Sequence, residues 1–255
     1  MFHFRPSLAS SVLSAALFFG VATSSHAGQR LFTYTYEATT APKGSVEIEN
    51  WVTWKHSDVG GRVDEFDFRH ELEFGITDHL QVGFYLANWN YTDAPGEHEA
   101  RYENSGAELI WNLSNPTTDF LGSAVYLEVN AGNRSLEIEG KLLLQKNFGP
   151  FVVAYNAVLE AKWAGRHLSE ETEGEIQQTL GASVELNKHF TAGAELLHEI
   201  DLPDWRGAEP SVLWMGPNAS FRAGNFYTTV TGLFRVTSNE DEPSLQTRLI
   251  FGFTF

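Results

Sequence analysis

The side chains with the most chemical potential in this 255-residue chain are carboxylates set two residues apart. Glu47 pairs in this way with Glu49, Glu65 with Asp67, Glu71 with Glu73, and Glu137 with Glu139. Single acids at Glu108, Glu128, Glu160, Glu185 and Glu195 fall on the same kind of face, and Arg69, Lys141, Lys162, Arg222, Arg235 and Arg248 fall among them. Residues two apart share one face of a β-strand. Two kinds of chemistry fit such a face. One is a charge-lined path that favours cations or polar solutes. The other is a packed electrostatic network that fills a narrow interior and links its strands. Crowded acids repel one another unless basic groups or divalent ions intervene.

A catalytic set is not expected. His70 lies between Phe68 and Leu72 on an apolar face, and the adjoining segments offer it Asn50 and Phe84 rather than a serine. His56 with Asp58, His98 with Glu97 and Glu99, and His167 with Glu170 and Glu171 sit in connecting segments, where a single histidine beside acids is ordinary solvated surface. Cysteine is absent and no regular histidine pair occurs, so no metal site of the zinc or iron type and no cofactor is expected. The formal net charge of −16 disfavours nucleic acid as a partner.

The elements that would carry these acids are strands. Val46, Ile48, Val52 and Trp54 alternate with Glu47, Glu49, Trp51 and Thr53, and the same two-residue period recurs along the chain. Twelve such segments can be counted, with ten or fourteen as the neighbouring even numbers. Trp51 falls on the polar face, while Trp54, Trp111 and Trp163 fall on the apolar one. Bulges are expected at Gly216-Pro217 and near Gly232. Short turn clusters, such as Gly75-Ile76-Thr77-Asp78 and Asn115-Pro116-Thr117-Thr118, alternate with longer charged connections. Those longer ones include Ser57 to Asp64, Asp93 to Ala100 and Thr237 to Ser244; Ala131 to Ser135 is the short exception. This asymmetry predicts an all-β fold, a transmembrane antiparallel up-and-down β-barrel with apolar residues outward. A soluble β-sandwich would also alternate, but need not set acids opposite nearly every apolar position.

Both ends of the chain fit export. Residues 1–27 read as a signal peptide: Arg5, an apolar run from Val12 to Ala22, and a Ser25-His26-Ala27 cleavage site. Leu249, Phe251, Phe253 and Phe255 alternate to the end of the sequence as an insertion signal. Residues 28–44 form a separate segment, in which Phe32, Tyr34 and Tyr36 alternate with Thr33, Thr35 and Glu37. It is expected at the periplasmic side or the mouth of the lumen, with a plug folded into the lumen as the alternative. Residues 45–255 would be the barrel.

The stretch Gly75-Ile76-Thr77-Asp78-His79-Leu80-Gln81-Val82-Gly83, with Asn115-Pro116-Thr117-Thr118-Asp119 and Glu139-Gly140-Lys141-Leu142-Leu143-Leu144-Gln145-Lys146, resembles small bacterial outer-membrane barrels linked to transport. Among these are outer-membrane proteins of the phenol-degradation meta-pathway type. The resemblance implies architecture and transfers no catalytic residue. The expected function is a porin-like channel for small solutes by diffusion past an acid-rich lumen. The alternatives are a filled structural or adhesion barrel acting through its loops, and an outer-membrane hydrolase. Expected partners are outer-membrane lipid and lipopolysaccharide, the barrel-assembly machinery and a small solute.

Overall fold

A computed structural model describes residues 30–58 and 61–255. The expected signal peptide, and residues 28 and 29 of the segment after it, lie outside the described residues. Twelve antiparallel strands follow one another: β1 Val46–Ser57, β2 Val63–Thr77, β3 Leu80–Ala94, β4 Glu97–Ser114, β5 Gly122–Gly132, β6 Ser135–Phe148, β7 Phe151–Ala164, β8 Glu171–Glu185, β9 Phe190–Pro203, β10 Val212–Ala223, β11 Phe226–Arg235 and β12 Leu245–Thr254. Each pairs with its neighbours in sequence, and β12 pairs with β1, from Glu47 against Thr254 to His56 against Leu245. The sheet therefore has no free edge, as spanning a hydrocarbon layer requires.

The burial pattern is that of a soluble protein turned inside out. Leu86, Trp111, Leu127, Leu159 and Phe234 are among the exposed large apolar residues, whereas Glu47, Glu49, Glu71 and Glu195 are buried. Glutamate is almost never buried so completely unless it is paired or hydrogen-bonded. Apart from Phe234, in a segment whose alternation is less clean, the period-two reading puts these groups on the faces they occupy. In β12 Leu249, Phe251 and Phe253 pair with Val52, Asn50 and Ile48 on the outer face, and Phe253 packs against Phe226 at a centroid distance of 5.1 Å.

Three local expectations need correction. Asp93 to Ala100 is not a long loop: β3 and β4 continue through it and turn at Pro95-Gly96, where Gly96 has φ 86°. Long strands with polar residues on both faces read as loop because hydropathy alternation is lost once the hairpin stands clear of the apolar layer. No extra residue is inserted at Gly216-Pro217 or near Gly232, where the register stays constant, but the β10–β11 pairing is interrupted at these residues, between Met215–Phe234 and Asn218–Thr231. The register shifts lie in β2–β5, at His70/Glu71, Gly75/Thr77, Tyr85/Asn88 and Asn112/Ser114. Finally, Asn115 to Leu121 is the longest connection at the turn end rather than a tight turn.

Candidate functional site

Closing the barrel aligns the acids across strands. Glu108 pairs with Glu128, Glu128 with Glu139, Glu139 with Glu160, Glu160 with Glu175, and Glu175 with Asp201. In the other direction Glu108 pairs with Gly83, Gly83 with Glu73, and Glu73 with Glu47. One row of carboxylates, broken only at Gly83, thus crosses nine successive strands. Barrel strands tilt, so a line of direct partners climbs as it circles. Glu47 is the second residue of β1 at the turn end, and Asp201 lies near the Pro203 end of β9 at the loop end. Like charges directly opposite each other destabilise a sheet, so a row of this length requires positive charge to offset it.

The lumen supplies some of that charge. Arg69 Nη2 lies 3.2 Å from Glu128 Oε1, and its guanidinium stacks over Tyr85 at 4.0 Å. Lys141 Nζ lies 2.8 Å from Glu139 and 4.2 Å from the Tyr36 ring. Arg248 donates to Thr53 at 2.8 Å and lies 4.1 Å over Tyr34. Lys55 bridges Asp67 at 2.9 Å and Glu65 at 3.7 Å. Asn130 donates to Glu137 at 2.9 Å, and Lys162 pairs in register with Glu137 and Glu173. These groups surround a lumen cavity of about 870 Å³ that opens between the loop-end strand tips. Its walls carry Glu65, Asp67, Glu137, Glu160, Glu175 and Asp201, and its base is formed by Tyr34, Tyr36, Trp51, Arg69, Lys141 and Arg248.

Not every expected residue joins the cavity. Arg222 lies at the turn end, 3.1 Å from Glu185, and donates to the Lys188 carbonyl at 3.0 Å. Glu47, Glu49, Glu71 and Glu73 lie below the cavity's base and do not line it. Of the rim histidines, His56 contacts Asp64 at 2.8 Å and Asp58 at 3.3 Å, and His98 contacts Asp93 at 2.9 Å rather than Glu97 or Glu99. His70 is bonded to Asn50 at 2.8 Å, and Trp89 donates to its other ring nitrogen at 3.3 Å.

The base of the cavity exists because of residues 30–41, which line the inner wall as a strap. The strap touches the strands in turn. The Ala41 amide donates to Gln81 of β3 at 2.7 Å, and the Ala38 amide to Gln145 of β6 at 2.8 Å. On β7, Asn156 accepts from the Tyr36 amide at 2.7 Å and donates to the Tyr36 carbonyl at 2.9 Å. On β9, Glu195 accepts the amides of Thr33, Tyr34 and Thr35, each at 2.8 Å. Thr229 of β11 donates to the Arg30 carbonyl at 2.5 Å. The Arg30 side chain closes the circuit on Glu49 of β1 at 3.2 Å and Glu73 of β2 at 3.5 Å.

Two apolar clusters seat the strap. Tyr36 packs with Trp51, Tyr126 and Ile250 among others, its ring centroid 5.0 Å from that of Tyr126. Tyr34 packs with Leu197, Val212, Trp214 and Leu233. Phe32 lies against Gly181, where a Cβ would come within 2.7 Å of its ring. Gly75 is required at the strap's point of entry, since a Cβ there would meet the Pro42 carbonyl oxygen at 2.0 Å. A cavity of only about 30 Å³ lies between the strap and the wall, lined by Arg30, Glu37, Glu73 and Gln81 among others. Sequence reasoning missed the anchoring role of Gln81, Gln145, Asn156 and Glu195, and of Asn112, which donates to the Ala38 carbonyl at 2.5 Å. The available signal was amides at lumen-facing positions, which can donate and accept along an extended backbone at once.

The fold has close counterparts among outer-membrane barrels. The COG4313 outer membrane channel from Pseudomonas putida F1 is similar over 88% of this chain and 100% of its own, with a TM-score of 0.64 at 12% identity. The NanC porin matches over 82% and 98%, with a TM-score of 0.55 at 7% identity. The translocator domain of the autotransporter NalP from Neisseria meningitidis matches over 83% and 88%, with a TM-score of 0.52 at 10% identity. At such identities the likeness is one of fold, and these barrels differ in what they carry. No curated protein matches the chain. The sequence pattern of the Family of unknown function (DUF6662) matches residues 24–247, and the chain belongs to that family.

Proposed function

We propose that this protein is a narrow outer-membrane channel for small polar solutes, with a preference for cations, and that the strap forms its constriction. The carrying observation is the 870 Å³ cavity, walled by the in-register carboxylate row and floored by the strap. Twelve strands lie between the eight that side chains can fill and the sixteen or so that leave an open pore. In this barrel the loop-end half is open and the turn-end half is occupied by residues 30–41. The short turns and both ends of the barrel sequence would face the periplasm, after removal of residues 1–27 during export. A solute would enter from the loop end, pass the acidic wall and meet the Arg69, Lys141 and Arg248 cations over their tyrosine platforms. Passage then requires displacement of the strap.

The test is single-channel conductance in a planar bilayer under a salt gradient. A small conductance with a cation-selective reversal potential is expected. Deleting residues 30–41 should enlarge the step. A well-folded barrel that stays silent in both forms would leave the second reading, a filled barrel acting through its loops. The occupied turn-end half is the observation that favours it.

A further inference from the structure

We infer that Glu49, Glu71 and Glu73 form a buried site for one hard divalent cation that ties the strap to β1 and β2. One carboxylate oxygen from each of the three lies within 4.8 Å of one from each of the others. Their burial is nearly complete: Glu49 and Glu71 are 0% exposed and Glu73 is 3% exposed. What points to a ligand is Glu71. Neither of its oxygens has a hydrogen-bond partner, although both are shut away from solvent; Glu108 Oε1 is in the same condition, and Glu73 Oε1 has only the Arg30 guanidinium, at 3.5 Å. A buried carboxylate with no donor at all is strongly disfavoured unless a cation or a proton meets it.

The neighbours leave that role open. Glu49 accepts from Trp51 Nε1 at 2.5 Å and from the Tyr227 hydroxyl, which also donates to Glu47. Gln81 donates to Glu73 Oε2 at 2.7 Å, and Tyr85 donates to Glu108 Oε2 at 2.5 Å. None of these groups reaches Glu71. The cationic side chain in contact with the trio is Arg30, through Glu49 and Glu73. With Glu108 beside them, these carboxylates outnumber the one guanidinium that touches the trio, and a divalent ion would offset the excess negative charge. Room for the acids comes from Gly83: a Cβ there would lie 2.4 Å from Glu71 Oε1 and 2.7 Å from Glu108 Cγ. The missing side chain on β3 lets acids from β2 and β4 lean into one space.

The donor set specifies the ion. Oxygen-only, anionic ligands suit calcium or magnesium rather than zinc or copper. Calcium tolerates irregular geometry and many carboxylate oxygens, whereas magnesium demands a tighter octahedron and keeps its waters. The geometry therefore favours calcium. The site does not depend on the channel reading, because its test needs no conductance.

The full chain, purified in detergent and passed through gel filtration, should retain about one calcium per molecule by elemental analysis. After removal of that ion with a chelator, terbium should bind saturably. Its emission should be sensitised through Trp51, whose indole contacts Glu49, and calcium should displace it. Glu71→Gln should weaken terbium binding by at least about tenfold, while Glu185→Gln, outside the cavity and paired with Arg222 at the turn end, leaves it unchanged. Wild-type protein with neither a retained ion nor saturable emission would overturn the inference, and protons would then neutralise the trio. Should Glu71→Gln not fold, the wild-type metal content and terbium titration still decide the question.

Discussion

Glu160 sits in the middle of the carboxylate row, with Glu139 and Glu175 as its direct partners on either side. Like charges directly opposite each other destabilise a sheet when no cation intervenes. Glu160→Gln should therefore leave the barrel as stable or slightly more so, while reducing cation preference. The reversal potential under a salt gradient measures the second effect, and an unchanged value would take this residue off the solute's path. Gly75 makes the opposite kind of case, in which backbone rather than charge decides. Gly75→Ala must push the Pro42 carbonyl away from a position 2.0 Å from the new methyl group. A loss of about 1–3 kcal/mol is expected, read as a lower urea midpoint after refolding. A midpoint equal to wild type would mean that the strap's entry adjusts freely.

Among the elements, the strap depends most on a single residue. Glu195 gathers three consecutive backbone amides, and Asn218 and Thr231 donate to the same carboxylate, Asn218 at 3.3 Å and Thr231 at 2.5 Å. Hydrogen bonds to a charged group are worth about 1.5–3 kcal/mol each in favourable cases. Glu195→Ala should release residues 33–35 from β9 and raise conductance toward that of the strap deletion. If Glu195→Ala and the deletion both conduct like wild type, the strap is not the constriction. The β3–β4 hairpin plays a different part. Its tip, from Asp93–His98 contact to the Pro95-Gly96 turn, stands clear of the apolar layer and shapes one side of the cavity mouth.

At the scale of the whole molecule the two ends of the barrel differ. The long connections, 204–211 and 236–244, lie at the end where the cavity opens, and the short turns 149–150 and 224–225 at the other. The chain contains no cysteine, so one introduced thiol gives an unambiguous label. Glu240→Cys should react with an impermeant maleimide on intact cells, and Asn225→Cys only after the outer membrane is breached. The reverse pattern would invert the proposed direction of entry. The same expression experiment tests the export expectation, since mass spectrometry of the mature protein should begin at Gly28.

The strands were legible because a closed barrel in lipid writes its two faces directly into alternate positions. Glu47, Glu49 and Trp51 could be placed inward, and Val52 and Leu249 outward, from the two-residue period alone. Even the even strand number followed from counting. The less regular places were those where the apolar layer no longer imposes the pattern. The β3–β4 tip is one, and the register breaks of β2–β5 are another, because a bulge such as that at Tyr85/Asn88 reverses the inward face within one strand.

Alternation determined which face each acid occupies, since side-chain direction is a property of the strand itself. Register and closure decided which acid stands beside which. Glu139, Glu160 and Glu175 are far apart in sequence, and only pairing sets them in one row. The sequence marked the strap as a separate segment and favoured the mouth of the lumen over a plug inside it; its path along the inner wall came only from the tertiary structure. Its aromatic residues alternate as a strand would, yet their partners are amides and carboxylates on strands around the whole circumference. A segment with such distant partners has no local signature, because the energy that places it comes from the lumen and not from its own backbone.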